Sequence, residues 1–111
     1  MPFIRNSSIA AAALFLSACS MTLPVQGVVD GGKETMTGTA TGYTNGAGTL
    51  EIKTSKGTTC KGNFVYVTPR QGSGVFNCDD GRSGPFQFVS TGSQGTGTGT
   101  FGGQSFTFTF G

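Results

Sequence analysis

From position 34 onward, polar and apolar residues alternate with a period of two, and the alternation is interrupted at short intervals by Gly, Asn, Asp, Ser and Pro. Such a pattern predicts half-buried strands joined by turns. It places seven strands at about 34–43, 47–53, 58–67, 72–78, 83–90, 95–102 and 105–110. No stretch after Leu16 has the three-and-four spacing of apolar residues that a helix needs. Short connections make sequence neighbours antiparallel neighbours in space. The preceding segment, residues 19–33, ends in Gly31-Gly32 and is predicted to be a flexible tether rather than an element.

The first residues follow a different pattern. Arg5 is the only charged side chain before an apolar run from Ile9 to Leu16, which leads into Leu16-Ser17-Ala18-Cys19. A cationic start, a short apolar core and small residues before a cut define an export signal. The run is shorter than the roughly 20 apolar residues of a membrane-spanning helix. Leu16-Ser17-Ala18-Cys19 resembles the lipobox of bacterial lipoproteins. The resemblance implies cleavage of residues 1–18, a diacylglycerol on the Cys19 thiol and a fatty acyl chain such as palmitate on the new amine. Two or three acyl chains, at about 0.8 kcal/mol per buried methylene, hold a protein to a membrane durably. Ser20, which is not Asp, implies by resemblance to enteric lipoproteins an outer-membrane location, facing the periplasm or the cell surface.

Cleavage there leaves 93 residues, a single small domain with six cations against five anions. No basic stripe is present, which argues against nucleic acid as a partner. Domains of this size bury a modest core and often need a staple. With Cys19 lipidated, Cys60 and Cys78 remain, and an exported chain is expected to pair them. Closing that loop contributes about 3 kcal/mol in the chain-entropy view.

Registers follow from the turns, because a slip of one residue would send every side chain to the wrong face. Placing Cys60 opposite Cys78 sets Gly62 opposite Phe76 and Phe64 opposite Gly74, across a turn at Pro69. A three-residue loop at Asp79-Asp80-Gly81 is expected to set Phe76 opposite Phe86 and Gly74 opposite Phe88. A turn at Gly92-Ser93 sets Phe88 opposite Gly97 and Phe86 opposite Gly99. A turn at Gly103-Gln104 sets Phe101 opposite Phe106 and Gly99 opposite Phe108. A turn at Asn45-Gly46 sets Ala40 opposite Leu50. All these registers put the eight phenylalanines after Cys19 on one face, mostly opposite glycines. A ring over a bare backbone fills the space glycine leaves and permits sharp curvature. The other face carries threonines from Thr37 to Thr109, with Glu51, Lys61, Asn63 and Gln87. Each buried Phe contributes roughly 1.5–3 kcal/mol, so the aromatic face cannot stay in water. The predicted fold is therefore all-β: one antiparallel meander of about seven strands, strongly curled or closed into a small barrel, with one disulfide.

The hairpins also repeat. Gly46-Ala-Gly48-Thr-Leu50 recurs as Gly72-Ser-Gly74-Val-Phe76 and as Gly97-Thr-Gly99-Thr-Phe101, each followed by a turn and a return strand. This resembles the membrane occupation and recognition nexus (MORN) repeat over about residues 38–108. Cys60 stands where the return-strand tyrosine usually is, and Asp80-Gly81 reaches Gly84 two residues early. The resemblance makes residues 34–111 a MORN-like β domain. It implies a scaffold or interaction surface rather than an enzyme.

Candidate chemistry is sparse. The chain has no histidine, so neither a metal site nor acid–base catalysis has its usual residue, and no catalytic residue, metal or cofactor is expected. Asp79-Asp80 fall at a turn, where adjacent carboxylates serve turn geometry. Lys61, Arg70 and Arg82 are candidate contacts for an anionic glycan or headgroup. An apolar-ligand carrier would need a cavity that eight phenylalanines are expected to fill. The expectation is a non-catalytic, lipid-anchored envelope module, structural or binding protein or glycan. The alternative is an inhibitor or binder of an external enzyme such as lysozyme. Ser73-Gly74-Val75-Phe76 faintly resembles the Ser-Gly-x-aromatic loop of small lipoprotein lysozyme inhibitors. Oligomeric state is not legible.

Overall fold

The computed structural model describes residues 20–111; the expected export signal, the lipobox-like segment and Cys19 lie outside the described residues. Eight strands follow one another: β1 Ser20–Val29, β2 Glu34–Tyr43, β3 Ala47–Thr54, β4 Thr59–Tyr66, β5 Gln71–Cys78, β6 Ser83–Thr91, β7 Gln94–Phe101 and β8 Gln104–Phe110. Each is antiparallel to the next, and β8 pairs back onto β1 from Val25↔Phe110 to Val29↔Phe106. The meander is therefore a closed barrel. An eight-stranded barrel has an interior just wide enough for side chains to fill. Seven phenylalanines with Val25, Val29, Met36, Leu50, Ile52 and Cys60 fill it here, and Phe110 is partly covered at one end.

The expected tether is replaced by β1, so the sheet has eight strands rather than seven. Met21, Leu23, Val25, Gly27 and Val29 alternate with Thr22, Pro24, Gln26 and Val28, and Val25 and Val29 are fully buried. Pro24 and Gly27 disguise this strand in the sequence, since both weaken a strand reading. Pro24 is tolerated because it lies one residue beyond the β1–β8 ladder, and its carbonyl accepts the Gly111 N–H at 3.0 Å. Asp30-Gly31-Gly32 is a 3-10 turn with all three residues at positive φ, and it joins β1 to β2 in place of a linker.

Three of the expected registers hold: Cys60↔Cys78 with Gly62↔Phe76, Phe88↔Gly97, and Ala40↔Leu50, with their neighbours. Two are displaced by two residues. The three-residue loop closes Cys78 on Arg82, so Phe76 faces Gly84 and Gly74 faces Phe86. The last turn is Gly102-Gly103, at φ +56° and +78°, so Phe101 faces Gln104 and Gly99 faces Phe106. Both central residues at positive φ fit the tight hairpin turn that matches strand twist. A displacement of two keeps every side chain on its face, so the aromatic interior is unchanged.

Glycine opposite phenylalanine shapes the wall. A Cβ at Gly97 would overlap the Phe108 ring, and one at Gly72 the Phe88 ring. At Gly38 and Gly84 the obstacle is backbone, the carbonyls of Glu51 and Thr100. Those close approaches allow the small sheet to turn corners. Cys60 and Cys78 are directly opposed on β4 and β5 and form the disulfide.

Candidate functional site

The two ends of the barrel differ. One end carries the turns β1–β2, β3–β4, β5–β6 and β7–β8. The other carries the start of β1 and the turns β2–β3, β4–β5 and β6–β7.

The first end is sealed around Arg82. Its guanidinium donates to both carboxylate oxygens of Glu34, at 2.9 and 3.0 Å, to Asp80 Oδ2 at 2.8 Å and to Gln104 Oε1 at 2.7 Å. Its charged carbon lies 4.7 Å from the centre of the Phe101 ring. A planar fork matches a carboxylate and can stack on a ring at once, which a lysine cannot do. Glu34 is 1% exposed, and the bidentate bond from Arg82 holds its carboxyl below the usual range against the opposing effect of burial. Asp80 is likewise held low, first by the Arg82 backbone N–H and then by its guanidinium. Asp79 accepts the Thr59 N–H at 3.2 Å, and Asp80 Oδ1 accepts the Arg82 N–H at 3.0 Å. Both acids shape and tie down the turn, as their position suggested.

Lys61, Arg70 and Arg82 do not form a patch. Lys61 is on the outer wall opposite Glu51 of β3, Arg70 is in the β4–β5 turn at the other end, and Arg82 is committed to the seal. The guanidinium of Arg82 is engaged by Glu34, which lies 48 positions away in the chain. Ser73–Phe76 is part of β5, with Phe76 buried at 1% exposure, so the segment is barrel wall rather than a presented loop.

The second end is open. A cavity of about 120 Å³ sits in it, walled by Met21, Leu23, Ala40, Tyr66 and Phe110 and floored by Leu50, Phe64, Phe88 and Phe108. The phenylalanines therefore do not fill the barrel to its mouth, contrary to the expectation from their number. The stagger of β1 explains this: residues 20–24 run past the end of β8 and raise an apolar wall above the core. Tyr66 is fixed at the rim by its hydroxyl, 3.2 Å from Ser90 Oγ, and by edge contact with Phe88 at 5.2 Å. The sequence reading missed Glu34, Met21 and Leu23. Met21 and Leu23 carried a signal in their alternation; Glu34 carried none.

The fold and its two ends define a small closed eight-stranded antiparallel barrel with one sealed end and one apolar mouth. No protein-family model matches the chain, and no curated protein matches it. Solved structures do. A redesigned β-barrel, mFAP1, bound to DFHBI, is similar with a TM-score of 0.66 at 17% identity, over 80% of this chain and 90% of that one. A de novo designed fluorescence-activating β-barrel gives 0.61 at 14% identity, over 80% and 88%. At such identities the likeness is one of fold.

Proposed function

We propose that the chain is a bacterial envelope lipoprotein, acylated at Cys19 and held in the outer membrane, whose barrel is a non-catalytic interaction module. The observation that carries this reading is which residues close the barrel. Residues 20–111, all of which follow the cysteine that the lipobox would modify, close the barrel among themselves.

The non-catalytic part is supported by the state of the acids. Glu34 and Asp80 are held ionised by Arg82 and serve the seal, so they are poorly suited to pass protons near neutral pH. As an interaction module the barrel has no free strand edge, so a partner would read side chains rather than add a strand. The hairpins β3–β4, β5–β6 and β7–β8 are the three MORN-like units of this proposal, and their resemblance favours a scaffold role.

The test is the mass of the mature chain extracted from membranes of a Gram-negative host. The expected product begins at Cys19 and carries acyl chains, and Cys19→Ala yields an unacylated chain released from the membrane. A mature chain with an unmodified Cys19, recovered in the soluble fraction, would overturn the reading.

A further inference from the structure

Apolar and charged side chains are segregated along the barrel axis. Six exposed apolar residues, Met21, Tyr43, Val65, Tyr66, Val67 and Val89, ring the mouth, with Val67 66% and Met21 58% exposed. Only Val28 and Val75 among the exposed large apolar residues lie elsewhere. The acidic side chains of the described residues avoid the mouth: Asp30, Glu34, Asp79 and Asp80 are at the sealed end and Glu51 is in the wall. Lys33, Lys53, Lys56, Lys61 and Arg82 are also in the wall or at the sealed end. The one charged side chain at the mouth, among the described residues, is the cation Arg70. The apolar cavity opens through the same ring.

An exposed apolar patch with a defined boundary marks an interaction surface. Four features choose the occupant. The rim carries no acidic side chain yet keeps one arginine, which suits a surface of lipid phosphates. Tyr43 and Tyr66 have an apolar body and a polar tip, as residues at a membrane interface do. The outer wall is threonine-rich and polar, unlike the apolar belt of a membrane-spanning barrel, so the barrel's side is not made for lipid. Finally, β1 begins at Ser20, so no spacer separates the rim from Cys19.

We infer that the mouth is a bilayer-docking face. Given the acylation at Cys19 on which this inference rests, the barrel stands mouth-down on the membrane that holds its anchor. The rim enters the boundary between headgroups and acyl chains, Arg70 meets lipid phosphate, and the cavity opens onto hydrocarbon. The sealed end, with its charges, points away from the membrane. Short attachment keeps the effective concentration of the rim at the surface high, so a modest apolar ring suffices.

The chain contains no tryptophan, so a single introduced one is a clean depth reporter. Val67→Trp and Tyr43→Trp place it at the rim, and Lys56→Trp places it at the sealed end. Each full-length protein, purified in its acylated form, is reconstituted into phosphatidylcholine/phosphatidylglycerol vesicles with or without brominated acyl chains. The expected result is blue-shifted emission from both rim variants, quenched several-fold more by bromine than emission from Lys56→Trp. An acylated protein that floats with vesicles but is unquenched at every position would overturn the inference while leaving the anchor intact. Rim emission that is blue-shifted, insensitive to bromine and dependent on protein density would also overturn it, showing two copies joined mouth to mouth. A chain whose mass carries no acyl groups would overturn the anchor reading and this inference together.

Discussion

Arg82 brings together groups that the chain keeps far apart: Glu34 from the start of β2, Asp80 from its own turn, Gln104 from β8 and the Phe101 ring. The half of this arrangement that is local was readable, because Asp79-Asp80-Gly81 announces a turn. The other half was not, since nothing near Glu34 in sequence points to a residue 48 positions on. Breaking a buried ion pair by removing one partner strands the other, at a cost of about 3–5 kcal/mol. Arg82→Ala is therefore expected to lower the urea-unfolding free energy by an amount in that range. The pH dependence has a definite sign. Glu34 titrates lower when folded than when unfolded, where a glutamate lies near about 4.3. Its contribution is present above that value and is lost as pH falls through the lower folded value. Glu34→Gln should flatten this acid limb, and an unchanged acid limb would show that the pair does not form.

At the scale of the element, the lesson is how periodicity survives errors of detail. The aromatic face was legible because Phe76, Phe86, Phe88, Phe101, Phe106 and Phe108 alternate with polar residues, and a misplacement by two residues in the β5–β6 and β7–β8 hairpins cannot move them off it. β1 was not legible as a wall, because Pro24, Gly27 and Gly31-Gly32 resemble a linker until β8 is found beside it. The pairing of rings with glycines is testable on one strand. Gly97→Ala pushes a methyl group into the Phe108 ring and is expected to cost about 1–3 kcal/mol, as overpacking does. Thr98→Ala, on the outer face of the same strand, should stay within about 0.5 kcal/mol. Equal effects in thermal or urea unfolding would mean that Gly97 does not face the packed interior.

At the scale of the molecule, closure gives the two ends their different characters. A closed sheet leaves only its ends to differ, and here the sealed end takes most of the charged side chains while the mouth takes the apolar rim. Composition alone could not show this, because the same residues scattered over an open sheet would have the same totals. Closure depends on β1, and β1 also removes any spacer between Cys19 and the rim. The direct measurement is hydrogen exchange of the backbone amides of residues 25–29 in the protein. If β1 is barrel wall, those amides exchange as slowly as the amides of β4 and β5, through global unfolding. Exchange at the rate of an unstructured peptide would return β1 to a tether, open the barrel between β8 and β2, and contradict the account.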